Sequence, residues 1–366
     1  MGDYGKIITG NTPPTKDIGN YENGTYLWAS PADLGTIKSI TTTKTKLSSK
    51  GFSKTRALPK GSILVTCIGS TIGKAGMATK EMSTNQQINS IVVNENNDNE
   101  FVYYAIQSAF PRYLSSIAVQ AVPIISKSAF ELLPNKRPCL EEQKKIGRFL
   151  SLLDERIATQ SKIIEDLKKL KSAIIEIEYT PNAKTTSHIG DVIEQISKRN
   201  KNNAIQNVLS VSNRQGFIKQ SDQFENRNVA SEDTSNYKIV EKNDFAFNPA
   251  RINVGSISRL TTFEKGIVSP MYICFRTQEN VAPEYIDYFF ESKHFYCEIQ
   301  KRLEGSVRQC LSFEGLCNIP ISLPSLEMQQ RIGKRLLTLG QKIKTETDLL
   351  ELLNKQKQYL LRQMFI

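Results

Sequence analysis

The sequence predicts an α+β protein in which two similar mixed α/β domains are separated by two long antiparallel coiled-coil helices, arranged about a pseudo-two-fold axis. Three observations predict this: an internal repeat, a helical periodicity in both copies of the repeat, and short β-rich runs between the copies. A chain of 366 residues is long enough for two domains that each bury a core.

The repeat is clearest when residues 138–180 are aligned with residues 324–366. Fourteen of the 43 aligned positions are identical, which is too many for chance and indicates that a unit of one domain and one helix was duplicated. The identical pairs include Pro138/Pro324, Leu140/Leu326, Glu141/Glu327, Gln143/Gln329, Ile146/Ile332, Gly147/Gly333, Leu150/Leu336 and Lys171/Lys357.

Both copies are predicted to be helices because their apolar residues recur at steps of three and four. Polar residues interrupt this apolar stripe at matching places, Gln160 and Glu346 and again Lys171 and Lys357, as expected of two related helices that share one packing scheme. Each helix would be about 50 to 60 Å long. The residues predicted to pair the helices are Ile146, Leu150, Leu153, Ile157, Ile164 and Leu167 in the first, and Ile332, Leu336, Leu339, Ile343, Leu350 and Leu353 in the second.

The segments outside the helices are rich in β-forming residues. Predicted strands include residues 62–68, 90–93, 244–247 and 267–275, and short helices are expected near residues 100–108 and 283–292. The predicted organisation is a first domain over residues 1–137, a long helix over 138–179, a linker over 180–187, a second domain over 188–323 and a second long helix over 324–366.

Composition limits the function. The net charge of +11 and the pI of about 9.2 favour a polyanionic partner. The six cysteines form no Cys-x-x-Cys pair and there are two histidines, so no metal site is expected.

The start of the chain lacks a signal sequence and no stretch is apolar enough to span a membrane, so a cytoplasmic protein without membrane contact is predicted.

No catalytic group of residues is found. The stretch 69–76 has three residues between its first two glycines and Ala75 where a phosphate loop needs a hydroxyl, so it is interpreted as a turn between strands. The tetrapeptide at residues 248–251 is not that of a base methyltransferase, and Glu142 lies on a helix without the clustered carboxylates of a nuclease. The chain is therefore not expected to be an enzyme, and no catalytic residues are assigned.

The sequence resembles the specificity subunit of type I restriction-modification systems over nearly its whole length. The residues that carry the resemblance are the opening Gly-Asp-Tyr-Gly-Lys-Ile-Ile-Thr-Gly-Asn-Thr-Pro-Pro (2–14) and the two helix starts, Pro-Cys-Leu-Glu-Glu-Gln-Lys-Lys-Ile (138–146) and Pro-Ser-Leu-Glu-Met-Gln-Gln-Arg-Ile (324–332). Residues 61–65, 85–87 and 248–255 also resemble segments of this family. The second domain lacks the Thr-Pro-Pro turn of the first, which fits two domains that read different half-sites.

The resemblance implies a fold and a role. The two domains would be target recognition domains that each read one half of a bipartite double-stranded DNA target. The chain would bind no cofactor of its own. Two modification subunits would supply the DNA methyltransferase and its S-adenosylmethionine, and restriction subunits would add endonuclease and translocase activity, with ATP and Mg held in these partner subunits. The antiparallel helices would set the half-sites about one DNA turn, about 34 Å, apart.

DNA binding would combine phosphate contacts from Lys and Arg with base-edge contacts from Arg, Asn, Gln, Ser and Thr. The candidates in the first domain are Lys44, Lys46, Lys50, Lys54, Arg56, Lys74, Asn85 and Gln86. The candidates in the second domain are Lys198, Arg199, Lys201, Arg214, Arg227, Asn248, Arg251, Asn253 and Arg259.

Two other functions stay open at this point. The first is a non-enzymatic coiled-coil scaffold whose domains bind protein and whose basic charge serves solubility. The second is a methyltransferase or nuclease, which would show activity as the purified chain with cofactor. Salt-dependent DNA affinity separates the DNA-binding hypothesis from the scaffold.

Overall fold

A computed structural model describes residues 1–35, 37–116, 123–180, 187–213, 215–223, 233–305 and 309–365. Its contacts divide the chain into two compact units, Met1–Ser161 with Asp348–Ile366, and Lys162–Thr347. Each unit holds one globular domain together with parts of two long helices. Residues 181–186 of the predicted linker lie outside the described residues.

In its described residues, the first domain contains two sheets and three α-helices. The elements are β1 Gly5–Thr9, β2 Tyr26–Ala29, β3 Ser39–Ile40, β4 Thr45–Leu47, α1 Ser49–Ser53, β5 Ile63–Thr66, β6 Ala75–Ala78, β7 Ser83–Thr84, β8 Ile88–Val93, α2 Asn99–Ser116 and α3 Lys127–Leu132, followed by the long helix α4 Leu140–Tyr179. The larger sheet has the strand order β1-β8-β5-β6-β3, and the smaller has the order β4-β2-β7 with β2 and β7 parallel.

The part of the second domain that the structure describes has two four-stranded sheets and a short two-stranded one. The elements are β9 Ser187–His188, β10 Ile193–Ile196, β11 Val208–Ser212, β12 Gly216–Lys219, α5 Gln220–Gln223, β13 Lys238–Glu241, β14 Phe245–Phe247, β15 Ile257–Arg259, β16 Lys265–Val268, β17 Ile273–Thr277, α6 Pro283–Phe289, α7 Lys293–Arg302, α8 Phe313–Cys317 and β18 Pro320–Ile321, followed by the long helix α9 Leu326–Met364. The strand orders of the three sheets are β10-β17-β14-β15, β12-β11-β16-β13 and β18-β9.

The two domains share one framework. The antiparallel order β1-β8-β5-β6 of the first recurs as β10-β17-β14-β15 in the second. The strand registers agree as well, since Ile63 lies opposite Ile91 in the first domain and Phe245 lies opposite Phe275 in the second. The prediction of two similar mixed α/β domains is confirmed, and the register gives a residue-by-residue alignment of the loops between these strands.

One predicted strand is wrong. Residues 267–275 do not form a single strand, because β16 ends at Val268 and β17 begins at Ile273, in a different sheet. Pro270 has no amide hydrogen to donate to a neighbouring strand, and the Tyr272 amide instead closes a turn onto the Ser269 carbonyl at 3.1 Å. The sequence pattern missed this turn because apolar residues stand on both sides of it.

The two long helices begin two residues after the predicted starts, with Pro138 and Pro324 just outside. The residues predicted to pair them are buried or half-buried. The buried ones are Leu150, Leu153, Ile164, Ile332, Leu336 and Leu353, and the half-buried ones are Ile146, Ile157, Leu167, Leu339, Ile343 and Leu350. The polar interruptions Gln160 and Glu346 are also buried.

The helices run antiparallel, as contacts within each unit show. In the first unit, Lys357 near the end of α9 forms an ion pair with Asp154 in the first half of α4, at 2.6 Å. In the second unit, Arg335 near the start of α9 pairs with Glu178 at the end of α4, at 3.5 Å. The start of each helix therefore lies beside the end of the other.

Four residues predicted only to pair helices also contribute to the domain cores. Leu150 is buried in the core of the first domain, with Ile146 packed against it. Ile332 and Leu336 are buried in the core of the second domain. Helix pairing and domain folding are therefore not separable at these positions.

Gln143 and Gln329, which are identical in the repeat, link the start of each long helix to the domain that precedes it in sequence. The Gln143 side chain accepts a hydrogen bond from the Asp98 amide at 3.1 Å and donates one to the Pro138 carbonyl at 3.0 Å. The Gln329 side chain makes the same two bonds, with the Ala282 amide at 3.0 Å and the Pro324 carbonyl at 2.9 Å. One buried amide thus satisfies a backbone donor before each domain helix and an acceptor at the long-helix start.

The identical lysines Lys171 and Lys357 make equivalent contacts in the two units. Lys357 Nζ lies 5.7 Å from the ring centroid of Tyr104, and Lys171 Nζ lies 5.0 Å from that of Tyr288. The Tyr104 hydroxyl donates to Asp154 at 2.6 Å, and burial together with this bond raises the pKa of Tyr104. Lys357 therefore holds α9 against the first domain, and Lys171 holds α4 against the second domain.

Candidate nucleic-acid interface

Two loops lie side by side at one end of the shared sheet in both domains. In the first domain they are residues 67–74, between β5 and β6, and residues 85–87, which lead into β8. In the second domain they are residues 248–256, between β14 and β15, and residues 269–272, which lead into β17. We call residues 67–74 and 248–256 the hairpin loops, and residues 85–87 and 269–272 the flanking loops.

Contacts join each hairpin loop to its flanking loop. In the first domain, the Cys67 amide donates to the Gln87 carbonyl at 2.8 Å. In the second domain, Asn248 Nδ2 lies 3.8 Å from the sulfur of Met271. The two domains therefore present equivalent loop pairs that carry different side chains.

The hairpin loops turn at equivalent glycines. Gly73 has a φ of 89° and Gly255 a φ of 86°, in the left-handed region that side chains other than glycine rarely adopt. Asn248 also stabilises its loop, because its side-chain oxygen accepts a hydrogen bond from the Ala250 amide at 3.1 Å. The prediction that residues 69–76 contain a turn between strands is confirmed.

Two predicted residues, Asn85 and Gln86, lie in the flanking loop of the first domain and differ in exposure. Asn85 is buried, and its side-chain amide donates to the Gln87 side chain at 3.0 Å, so it holds the loop in shape rather than facing a ligand. Gln86 is exposed and accepts a hydrogen bond from the Thr12 hydroxyl. Thr12, in the Thr-Pro-Pro segment, was not among the predicted residues, although this bond holds the Gln86 side chain.

Basic residues lie near residues 9–12, which contact this loop through Thr12. Arg56 donates to the Thr9 carbonyl at 2.7 Å. Lys50 and Lys54 share one carboxylate, Asp17, at 3.0 and 3.1 Å, and their hydrogen bonds lower the pKa of Asp17. Because two ammonium groups share a single carboxylate, this part of the surface keeps a net positive charge.

The remaining candidates of the first domain lie apart from this group. Lys44 and Lys46 are exposed at β4, where the Lys44 amide donates to Asp33 at 2.8 Å. Lys74 is exposed at the end of the hairpin loop and its methylenes lie close to Gly35. Among the described residues, no hydrogen bond or ion pair of their side chains joins these three lysines to Arg56 or Gln86.

In the second domain, Lys198, Arg199 and Lys201 follow β10 and are exposed. Arg199 donates to the Asn236 side chain at 3.1 Å, which holds its guanidinium near the surface. Arg251 is exposed in the hairpin loop, where its backbone amide donates to the Asn248 carbonyl at 2.9 Å. Its guanidinium has no hydrogen-bond partner in the described part of the chain. Asn253 is half-buried in the same loop, and Arg214 and Arg227 lie outside the described residues.

Arg259, predicted to bind DNA, is instead buried and paired within its domain. Its side chain is 8% exposed and pairs with Glu284 at 2.5 Å and Asp287 at 3.2 Å, while Asn243 accepts a further hydrogen bond at 2.9 Å. Burial raises the pKa of Asp287 and the guanidinium opposes that rise. Arg259 thus has a structural role, because a movement toward DNA would leave Glu284 and Asp287 without their cation.

Other kinds of site find little support in the described residues. No group of three or more His, Cys, Asp or Glu side chains there is arranged to hold a metal ion. None of the helices described is both long and apolar enough to cross a lipid bilayer.

The duplicated domain and helix define a class of protein in which two related domains on one chain present equivalent loop pairs with different side chains. The family model for the type I restriction modification DNA specificity domain matches residues 1–169 and 181–355. The chain therefore belongs to the family of type I restriction-modification DNA specificity subunits, and the resemblance noted in the sequence is confirmed.

Individual relatives agree with this assignment. The chain is 30% identical over 174 residues to the type I restriction enzyme MjaIX specificity subunit of Methanocaldococcus jannaschii, which covers 46% of this chain and 40% of that protein. It is 25% identical over 320 residues to the MjaVIII specificity subunit of the same organism, covering 79% of this chain and 72% of that protein. The solved S subunit of a type I restriction-modification system from M. genitalium has the same fold, with a TM-score of 0.60, 17% identity and coverage of 99% of this chain and 93% of that chain.

Proposed function

We propose that this chain reads a bipartite double-stranded DNA target, with one half-site bound by the loop pair of each domain. The observation that carries the proposal is the matched framework with different side chains: Gln86 is exposed in one flanking loop, and Arg251 is exposed in the other domain's hairpin loop. Amide and guanidinium groups are those that read adenine and guanine edges in the major groove.

Charge supports a DNA partner. The net charge of +11 would attract phosphates, and exposed lysines such as Lys74, Lys198 and Lys201 lie in or near the proposed surface. The coiled-coil scaffold with protein-binding domains is not favoured, because the family is one of DNA specificity subunits.

The proposal includes the partners and cofactors. The chain would have no catalytic centre and would recruit two modification subunits, which carry the methyltransferase activity with S-adenosylmethionine, and restriction subunits that use ATP and Mg. Its exposed long-helix faces would serve these contacts. The proposal also places the chain in the cytoplasm, and its six unpaired cysteines fit a reducing compartment.

Arg251→Ala is expected to relax specificity at one half-site. The complex reconstituted with modification subunits would methylate DNA, and methylome sequencing with the unaltered chain is expected to give a bipartite motif. Loss of one guanidinium contact costs about 1–3 kcal/mol of discrimination, about 5- to 150-fold, at one position of one half-site.

Arg331→Ala is the matched control, because Arg331 is exposed on α9 outside both loop pairs. It should leave the motif unchanged. Equal weakening on all sequences would assign Arg251 to a phosphate, and an unchanged motif with unchanged affinity would remove it from the interface. A complex without any sequence preference would overturn the proposed function.

A further inference from the structure

The loop pair of the second domain exposes two apolar side chains. Val254 in the hairpin loop is 57% exposed and Met271 in the flanking loop is 61% exposed. Among the described residues of the second domain, Tyr296 is the other large hydrophobic residue with comparable exposure. Exposed apolar side chains in this domain are thus concentrated at the proposed DNA surface.

The backbone around Met271 is firmly held. Met271 precedes Tyr272, which is buried and whose hydroxyl accepts a hydrogen bond from the Val211 amide at 3.3 Å. The Tyr272 carbonyl accepts from Lys238 Nζ at 2.6 Å. These two hydrogen bonds hold Tyr272 in the domain, and the side chain of the preceding Met271 remains exposed to solvent.

The same holds for Val254. It ends a short 3-10 turn whose first residue, Ile252, is buried in the core of the second domain. The Val254 amide donates to the Arg251 carbonyl at 3.2 Å, so Val254 and Arg251 belong to one compact turn. This turn therefore carries both an exposed apolar side chain and an exposed guanidinium side chain.

The first domain differs at the matched positions. The strand registers align Val254 with Ile72 and Met271 with Gln87. Ile72 packs against the core of its domain, and the Gln87 side chain accepts a hydrogen bond from Asn85. The exposed apolar pair is therefore a property of the second domain and not of the shared framework.

We propose that Val254 and Met271 contact thymine methyl groups in the half-site read by the second domain, a proposal that rests on the proposed function. The C5 methyl of thymine is the apolar group that a base pair presents in the major groove, and aliphatic side chains recognise it by contact. Arg251, which is exposed in the same hairpin loop as Val254, supplies the polar contact, so this domain reads a thymine-containing sequence.

The test replaces each thymine of that half-site by deoxyuridine, which removes the methyl group and keeps every hydrogen-bonding group. Affinity is measured with the complete complex and the motif that methylome sequencing provides. The unaltered complex is expected to lose about fourfold in affinity for each contacted methyl group, the value of one buried methyl. Met271→Ala and Val254→Ala should each abolish this sensitivity at one thymine, because the contact is then absent from both DNA forms.

Two control variants accompany the test. Tyr296→Ala, which removes an exposed apolar side chain from α7, should leave the sensitivity to deoxyuridine intact. Met271→Leu keeps an aliphatic surface and should also retain it.

Three outcomes would overturn the inference. In the first, the half-site of the second domain contains no thymine. In the second, the motif is retained but deoxyuridine does not change the affinity. In the third, deoxyuridine still lowers the affinity of both alanine variants. In each of these cases the complex still discriminates sequences and the proposed function stands. Loss of all sequence preference in the unaltered complex would instead remove both.

Discussion

The Leu336→Ala variant is expected to be less stable than the unaltered chain by about 2–5 kcal/mol. Leu336 has no exposed surface and lies in the core of the second domain together with residues of α4 and α6. Truncation removes apolar contacts and leaves a cavity that the surrounding helices fill only in part. Urea unfolding of the full chain, followed by circular dichroism, would show a transition at lower urea concentration.

Leu337→Ala is the matched control, since the neighbouring side chain is 43% exposed. It should change stability by no more than about 0.5 kcal/mol. Leu150→Ala, at the equivalent position of α4, should cost as much as Leu336→Ala, because Leu150 is fully buried in the first domain. Equal effects of Leu336→Ala and Leu337→Ala would contradict the observed orientation of α9.

Gly147→Val is expected to destabilise the first unit by about 3 kcal/mol. A Cβ atom at Gly147 would lie 2.5 Å from the Asp98 carboxylate and 2.8 Å from the Phe101 amide nitrogen, closer than real side chains approach such atoms. Since the Phe101 amide belongs to the start of α2, α4 and α2 would have to move apart. The loss would appear in thermal unfolding of the full chain as a lower transition temperature.

Gly340→Ala serves as the opposite control. Apart from the neighbouring backbone of α9 itself, an added Cβ at Gly340 would meet no described atom within 4 Å, so the gain in helix propensity should stabilise α9 by up to about 1 kcal/mol. Gly333, the repeat partner of Gly147, should respond as Gly147 does, because its Cβ would lie 2.8 Å from Glu284 Cβ. A Gly147→Val variant as stable as the unaltered chain would show that the two helices do not approach this closely.

The long helices were predictable from sequence to within two residues at every end, because a helical repeat of apolar residues over about 40 positions is a strong signal. The identical residues Gln143, Gln329, Gly147 and Gly333 were visible as a repeat, but their roles were not. Their decisive contacts are with residues in or just before the preceding domain helices, which are far away in sequence. Only the three-dimensional structure shows that one amide bridges two backbone groups at each junction.

The site was less predictable than the fold, because charge in a sequence does not reveal burial. Arg251 and Arg259 look alike in the sequence, yet Arg251 is exposed and Arg259 is enclosed by Glu284 and Asp287. Similarly, Asn85 and Gln86 are neighbours, but only Gln86 faces the surface. The partners that decide these cases lie on other strands and helices.

The measurement that tests the central claim most directly is the methylation motif of a chain in which residues 1–137 are duplicated in place of residues 188–323. If each domain reads its own half-site on a shared framework, the complex with this chain should recognise a motif that contains the first half-site twice. A folded, active complex that still required the original second half-site would contradict the account.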